Sequence, residues 1–282
     1  MNINKIIIGV TQFGMPYGIM NKSKNDRKKK LKQILNFSKK KNIKALYTSK
    51  YYGNSNKLLG FENLHHFKIF SKFKSEDLLN EKFILELDKV RNTLGKNTII
   101  LMLDGFEKLS VNKALKVYDI IIKLKKNKYI SKFGYSIYVF KNLQKICKNF
   151  KPDILQCPYN VIDRRLEQKG LLEYLKFNKI EVHVRSIFLQ GLLIADPSRL
   201  PKKFLKWKKI FQIFKNKMSY YQISNLEGCL NFIEKNRCID KILIGIDNDI
   251  QLKEILDVKY NKKIKFPNIY IKNEKLIDPS RW

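Results

Sequence analysis

The chain has 282 residues with 44% apolar content and a formal net charge of +33, enough apolar material to bury one large core. No stretch approaches the roughly 18 uninterrupted apolar residues of a membrane span, and the short run Ile6–Val10 lacks the features of a secretory leader. A transmembrane protein and a processed secretory precursor are therefore not expected.

Short apolar strands alternate with amphipathic helices along the chain. The Ile-rich run 5–10 predicts a first strand, and Leu31, Ile34, Leu35 and Ser38 follow at helical spacing. Residues 43–48 and 67–72 predict the second and third strands. Leu79, Phe83, Leu87, Val90 and Leu94 then recur at steps of three and four, one face of a helix. Residues 98–103 predict a fourth strand, with Val117, Ile120, Ile121 and Leu124 marking its helix. Residues 132–136 predict a fifth, before a helix through Leu143, Ile146 and Phe150. Residues 152–156 and 180–185 predict the sixth and seventh strands, with a helix over 166–175 between them. The eighth spans 241–245 and is closed by a helix through Leu252, Ile255 and Leu256.

Eight strand–helix pairs without an internal linker predict one domain over 1–282, a closed (β/α)8 TIM barrel. An open doubly wound sheet is the alternative. The first turn, Gly9-Val10-Thr11-Gln12-Phe13-Gly14, lacks the Gly-rich dinucleotide fingerprint that such a sheet carries. In a barrel, function belongs to the C-terminal strand ends, here 11–17, 47–55, Lys72, 103–107, Ser136, 156–165, 185–191 and 245–249.

The charge alone does not indicate nucleic acid as a partner. Only eight of the 58 basic residues are Arg, the residue favoured for reading bases, and the lysines are scattered along the chain. The excess reads as a solvated surface that steers anions. Cys147, Cys157, Cys229 and Cys238 form no C-x-x-C pair, so neither a zinc site nor a disulfide framework is expected, and a reducing cytoplasm is the simplest location. His65-His66 lacks a third ligand at suitable spacing and reads as a loop pair, and His183 reads as a packed strand residue. Asp163-Arg164-Arg165 is either a phosphate site or an ion cluster. Phe204, Trp207, Phe211 and Phe214 are spaced as a packed helix face rather than a base-stacking platform.

At the strand ends the sequence resembles the aldo/keto reductases. The resemblance rests on Gly9–Gly14 with Tyr17-Gly18-Ile19, on Thr48–Ser55, and on Gly134-Tyr135-Ser136. Its most specific part is Gln156–Asn160, Asp163-Arg164-Arg165 and Arg185–Gly191. Gly245 to Glu254 and the tail Leu276–Trp282 also fit, the tail being similar to bacterial members linked to surface-sugar biosynthesis. The resemblance implies NADPH- or NADH-dependent reduction of a small or sugar-linked carbonyl. In that family a tyrosine donates the proton, helped by a lysine, an aspartate that pairs with the lysine, and a histidine that orients the carbonyl.

Tyr52 falls on the tyrosine and Lys72 on the lysine. Two of the four positions are altered. Tyr47 stands at the aspartate, and Asp104, or Leu103 if the register slips by one, stands at the histidine. Asp104 offers a replacement carboxylate from another direction. For the cofactor, the resemblance implies Ser136 and Gln156 at the nicotinamide carboxamide and Arg185 stacked on the ring. It implies Ser186, Leu189 and Gly191 along the pyrophosphate, and Gly245, Gln251 and Glu254 at the adenosine end. Thr11 stands one residue beyond the family's first-strand threonine. Gln251 replaces a common arginine for the 2′-phosphate, so NADP and NAD both remain open. The alternative is a barrel that keeps the fold and nucleotide binding but has lost hydride transfer.

Overall fold

Residues 2–20, 26–95, 99–168 and 170–282 are described by a computed structural model of the chain. Eight parallel strands close into a barrel in sequence order: β1 (Ile6–Gly9), β2 (Ala45–Ser49), β3 (Lys68–Lys74), β4 (Ile99–Asp104), β5 (Ile130–Ser136), β6 (Ile154–Pro158), β7 (Glu181–Arg185) and β8 (Lys241–Gly245). The barrel closes where Ile6, Ile7, Ile8 and Gly9 pair with Ile242, Leu243, Ile244 and Gly245. Closure leaves no unpaired strand edge.

Successive side chains on a strand point to opposite faces. One set, including Ile7, Ala45, Tyr47, Phe70, Ile100, Met102 and Ile154, fills the barrel interior. The other set, including Ile6, Ile8, Leu46, Ile69, Leu101, Leu103, Leu155 and Val182, packs beneath the outer helices. Both faces are buried, so the strands read as nearly continuous apolar runs rather than as polar–apolar alternation. His183 belongs to the inner set. It is fully buried, edge-on to Phe70 at 5.5 Å, and its Nε2 lies 3.1 Å from Glu181 Oε2.

The outer layer begins with the four-residue α1 (Thr11–Gly14), then α2 (Arg27–Lys40) and the short α3 (Ser55–Leu59). It continues through α4 (Phe83–Thr93), α5 (Val111–Lys126), α6 (Leu143–Asn149) and α7 (Leu171–Phe177), and ends with α8 (Lys208–Tyr220), α9 (Asn225–Lys235), α10 (Asp249–Asp257) and α11 (Glu274–Ile277). α5 shows why these segments are helical. Ser110 accepts the Lys113 N–H as a cap, Ala114, Val117, Ile121 and Leu124 form the buried stripe, and Lys123, Lys125 and Lys126 sit at the negative end of its dipole.

Two expectations are corrected. The helix predicted over 166–175 is a short turn at Arg165–Glu167 followed by α7, because Gly170 takes a left-handed φ of 68° between them. α9 was not predicted, although its capping box, with Ser224 and Glu227 bonding each other's backbone, is a legible start signal. The strands agree in number and order. β3 runs two residues past Lys72, and β6 begins at Ile154 rather than at Pro152. Thr98, the predicted start of the fourth strand, lies outside the described residues. Phe204, Phe211 and Phe214 are buried in the core, as their spacing predicted. Among the described residues no helix is long and apolar enough to cross a membrane.

Candidate active site

The turn that carries Tyr52 is fixed by backbone contacts. Tyr52 N–H donates to Ser49 O at 3.1 Å, Asn54 N–H to Gly14 O at 3.1 Å, and Ser55 N–H to Tyr52 O at 3.0 Å. The Ser55 hydroxyl donates to Val10 O at 2.9 Å. The approach of α1 to this turn requires a glycine. A Cβ on Gly14 would lie 1.9 Å from Tyr52 O and 2.3 Å from Ser55 N.

Ser49 and Lys72 share a rung of the sheet, as do Lys74 and Asp104. Lys72 Nζ lies 3.3 Å from Asp104 Oδ2 and 5.6 Å from the centroid of the Tyr52 ring. The two side chains are 18% and 35% exposed, so the pair is partly solvated and its gain is modest. Asp104 turns to the site, whereas Leu103 packs in the helix-facing core. Tyr47 points inward and stacks near Phe70, with ring centroids 6.4 Å apart. Its hydroxyl is buried near Ser136 but has no partner at hydrogen-bonding geometry. The carboxylate that anchors Lys72 therefore comes from β4 and not from β2.

Burial pushes the Tyr52 phenol up to about 12, while a hydrogen bond with the Thr11 side chain and the nearby Arg185 cation pull it down. Thr11 thus serves the tyrosine directly. Asp104, Ser136 and Gln156 share one rung across the adjacent strands β4, β5 and β6. Gln156 is fully buried, and neither Oε1 nor Nε2 has a partner.

Arg185, at the end of β7, is 9% exposed. Its Nη2 donates to Ile137 O at 2.9 Å, its Nη1 has no partner, and its Cζ lies 3.7 Å from the Tyr138 ring centroid. Tyr138 is itself braced. Arg165 Nη1 donates to Tyr138 O at 2.9 Å, while Nε and Nη2 donate to the two oxygens of fully buried Asp163 at 2.9 and 2.8 Å. This decides between the two readings of Asp163-Arg164-Arg165 in favour of an ion cluster, since the Arg165 fork is occupied within the chain. Sequence reasoning did not single out Tyr138. Its only signal was an aromatic residue two positions after a strand-end serine.

The loop after β7 turns sharply, with left-handed φ at Ser186 (57°), Leu189 (48°), Gln190 (52°) and Gly191 (93°). The Leu189 side chain is fully buried, so it can offer only backbone groups. Asn160 Nδ2 donates to Ser186 O at 3.0 Å, and Ile19 N–H to Gln190 Oε1 at 3.1 Å. Gly245 packs beside the Gln12 carboxamide, whose nitrogen donates to Ile246 O. Gln251 is engaged within its own loop: its Oε1 accepts the Asp247 N–H at 2.8 Å, and its N–H donates to Asn248 Oδ1 at 2.9 Å. Glu254 is exposed on α10.

No group of three His, Cys, Asp or Glu side chains placed to hold a metal occurs among the described residues. His65 and His66 lie in a turn. The four cysteines are free thiols, and burial raises those of Cys147 and Cys157 to about 12. Cavities of about 750 and 720 Å³ lie on the outer wall beside α4 and α5 and at the opposite mouth of the barrel. Neither is lined by the residues gathered around Tyr52.

No curated protein matches the chain. Among solved structures, a glycerol dehydrogenase from Gluconobacter oxydans is similar at 16% identity and a TM-score of 0.67, over 90% of this chain and 86% of that one. A thermostable aldo-keto reductase in complex with the inhibitor epalrestat is similar at 16% identity and a TM-score of 0.67, over 92% of both chains. At such identity the likeness shows the fold alone. The profile of the aldo/keto reductase family matches residues 5–259 and spans every strand of the barrel. The chain belongs to the aldo/keto reductase family.

Proposed function

We propose that this chain reduces a small or sugar-linked carbonyl compound, with a nicotinamide nucleotide, NADP or NAD, as cofactor and Tyr52 as proton donor. One observation carries the reading: at the C-terminal mouth of the barrel Lys72 Nζ lies 3.3 Å from the Asp104 carboxylate and 5.6 Å from the centroid of the Tyr52 ring. Asp104 holds the lysine in place from β4, the role that an aspartate on β2 would otherwise have.

The residues present suit the nucleotide. The buried Gln156 carboxamide offers a free donor group and a free acceptor, the complement of another carboxamide, with Ser136 beside it on the adjacent strand. The 186–191 loop and the start of α10 are where the pyrophosphate and adenosine would run, with backbone N–H groups available to phosphate oxygens. In place of an arginine for the 2′-phosphate stand Gln251 and, in the same helical turn, Asp249. Bound in reduced form, the nucleotide supplies a hydride to the carbonyl carbon.

Tyr52 holds its proton firmly at neutral pH, so it suits a donor rather than a base. The transfer is still downhill in the transition state, because the oxygen it protonates is becoming an alkoxide, a stronger base than a phenolate. The free, partly buried thiols suit a reducing compartment such as the cytoplasm.

The test is titration with NADPH and NADH by nicotinamide and protein fluorescence, followed by a carbonyl screen with Tyr52→Phe as control. Micromolar binding, with reduction falling about 10²- to 10⁴-fold in the variant, is the expected result. Failure of both nucleotides to bind at millimolar concentration would overturn the reading.

A further inference from the structure

The N-terminal mouth of the barrel, opposite Tyr52, holds the cavity of about 720 Å³. Its floor is apolar, with Phe70, Ile100 and Ile154 contributed by the inward-facing layer of the strands. Four lysines stand around that floor. Lys44 directly precedes β2, Lys68 and Lys241 open β3 and β8, and Lys132 lies near the start of β5. Backbone pairing sets them in place: Lys68 N–H donates to Lys44 O at 2.7 Å, Lys132 is in register with Ile100, and Lys241 is in register with His183.

Three of these cations have no counter-charge. Glu181, which also lines the cavity, is engaged at both oxygens, one by Lys132 and the other by His183 Nε2 at 3.1 Å. Asp240, beside Lys241 in the chain, is taken by Lys176 at 2.7 and 2.9 Å and by the Val182 N–H at 2.8 Å. Lys241 Nζ donates to the neutral Asn4 carbonyl. Among the described residues Lys44 and Lys68 form no ion pair. Burial lowers the pKa of Lys241, and Lys68 and Lys132 add to the effect against Glu181 and Asp240.

The overall charge of +33 does not account for this grouping. The cavity beside α4 and α5 carries Lys116 and Lys123, and there Glu81 and Asp119 balance them. At the barrel mouth the balance is missing. Like charges around a concavity with apolar walls repel one another at a cost to the fold, and the same focused field concentrates anions there.

The lining also indicates which anion. Three unmatched cations call for about three negative charges, which two phosphate groups supply at about 1.5 to 2 each at neutral pH. A single phosphate or a dicarboxylate falls short. Lysine, a point charge on a flexible stem, suits phosphate oxygens. Lys44 and Lys68 stand together at β2 and β3, whereas Lys241 stands beyond β1 at β8, so the anionic groups are separated by a skeleton that rests on the apolar floor. We propose that the N-terminal mouth of the barrel binds a small organic bisphosphate, with its phosphates on Lys44, Lys68 and Lys241 and its carbon skeleton over Phe70. The site lies at the mouth opposite Tyr52 and does not depend on the reductase reading.

The experiment titrates the full-length chain with fructose 1,6-bisphosphate and with fructose 6-phosphate by calorimetry, at a constant ionic strength of about 0.15 M that screens diffuse surface attraction. The bisphosphate is expected to bind at least about tenfold more tightly, and to raise the thermal midpoint because it binds the native state. Lys44→Met with Lys68→Met should weaken bisphosphate binding about tenfold or more. Lys208→Met with Lys209→Met removes the same charge from exposed positions that line neither cavity, and should change the affinity less than about twofold. If the first double variant does not fold, Lys68→Gln alone, with an expected loss of about threefold, decides the matter. Equal binding of the two phosphates, no binding of either at millimolar concentration, or an affinity that survives the Lys44 and Lys68 substitutions overturns the site. An equal loss in the two double variants overturns it as well, since the attraction would then belong to the whole surface.

Discussion

Asp163→Asn should destabilise the fold by about 3 kcal/mol, the low end of the 3–5 kcal/mol typical when one partner of a buried ion pair is removed. Asp163 is fully buried and Arg165 is 12% exposed, so the cation left behind has little water to turn to. Two charge-assisted hydrogen bonds, at 2.9 and 2.8 Å, now hold the guanidinium. Asparagine keeps the shape and one acceptor oxygen, so one of these bonds survives in neutral form. Arg165 also keeps its bond to Tyr138 O and its position 4.9 Å from the Phe140 ring centroid, and both limit the loss. The assay is urea unfolding followed by tryptophan fluorescence, with the slope expected to stay constant while the midpoint falls. The double variant Asp163→Leu with Arg165→Met removes both charges and should recover most of the loss. A cost below about 1 kcal/mol for Asp163→Asn, or a double variant no better than the single one, would refute the assignment of this pair as a buried strut.

Gly14→Ala should cost about 3 kcal/mol or more, because the new methyl group meets the backbone of the Tyr52 turn, which cannot move aside as a side chain would. A thermal melt within 1–2 °C of the wild type would show that the turn yields. Asp104→Asn should leave stability within about 1 kcal/mol, since the carboxylate is partly solvated, yet lower carbonyl reduction about tenfold or more as Lys72 loses its anchor. An unchanged rate would remove Asp104 from the machinery. Stability should fall in acid through His183 and Glu181. Burial lowers the pKa of His183, so the unfolded chain takes up a proton first as pH drops below about 6.5. Glu181, held down to about 2 chiefly by its hydrogen bond with His183 and also by Lys132, adds stability above its ordinary range that is lost as pH falls toward 2. Melting curves of wild type and His183→Leu from pH 8 to 4 check this. The wild type should lose up to about 1.4 kcal/mol per pH unit below 6.5, and a flat profile would contradict it.

The barrel was legible because its strands are fully buried and its helices are striped. Both patterns belong to local sequence, so the eight strands appear in their correct order with ends displaced by at most two residues. α9 escaped because it lies outside the strand–helix alternation, in the long connection between β7 and β8, where its start is marked only by the Ser224–Glu227 capping box. Tyr52 and Lys72 could be placed because each sits at a fixed offset from a strand. The strand-end position of Asp104 offered it as a partner for Lys72, but that the two side chains meet at 3.3 Å depends on the spacing of β3 and β4 and could not be read from the sequence. The same holds for Arg185. A residue's place on a strand can be read from the sequence, but the absence of a counter-charge around it requires every neighbouring strand end.

The inward-facing layer of Tyr47, Phe70, Ile100, Met102 and Ile154 blocks the barrel axis below the candidate site. Nothing can pass through from the far mouth, so every ligand of that site must share one doorway. Whichever compound seats deeper must arrive first and depart last, and the order of encounter follows from depth alone. Steady-state product-inhibition patterns would therefore report the vertical arrangement of ligands in this site before any complex is crystallised.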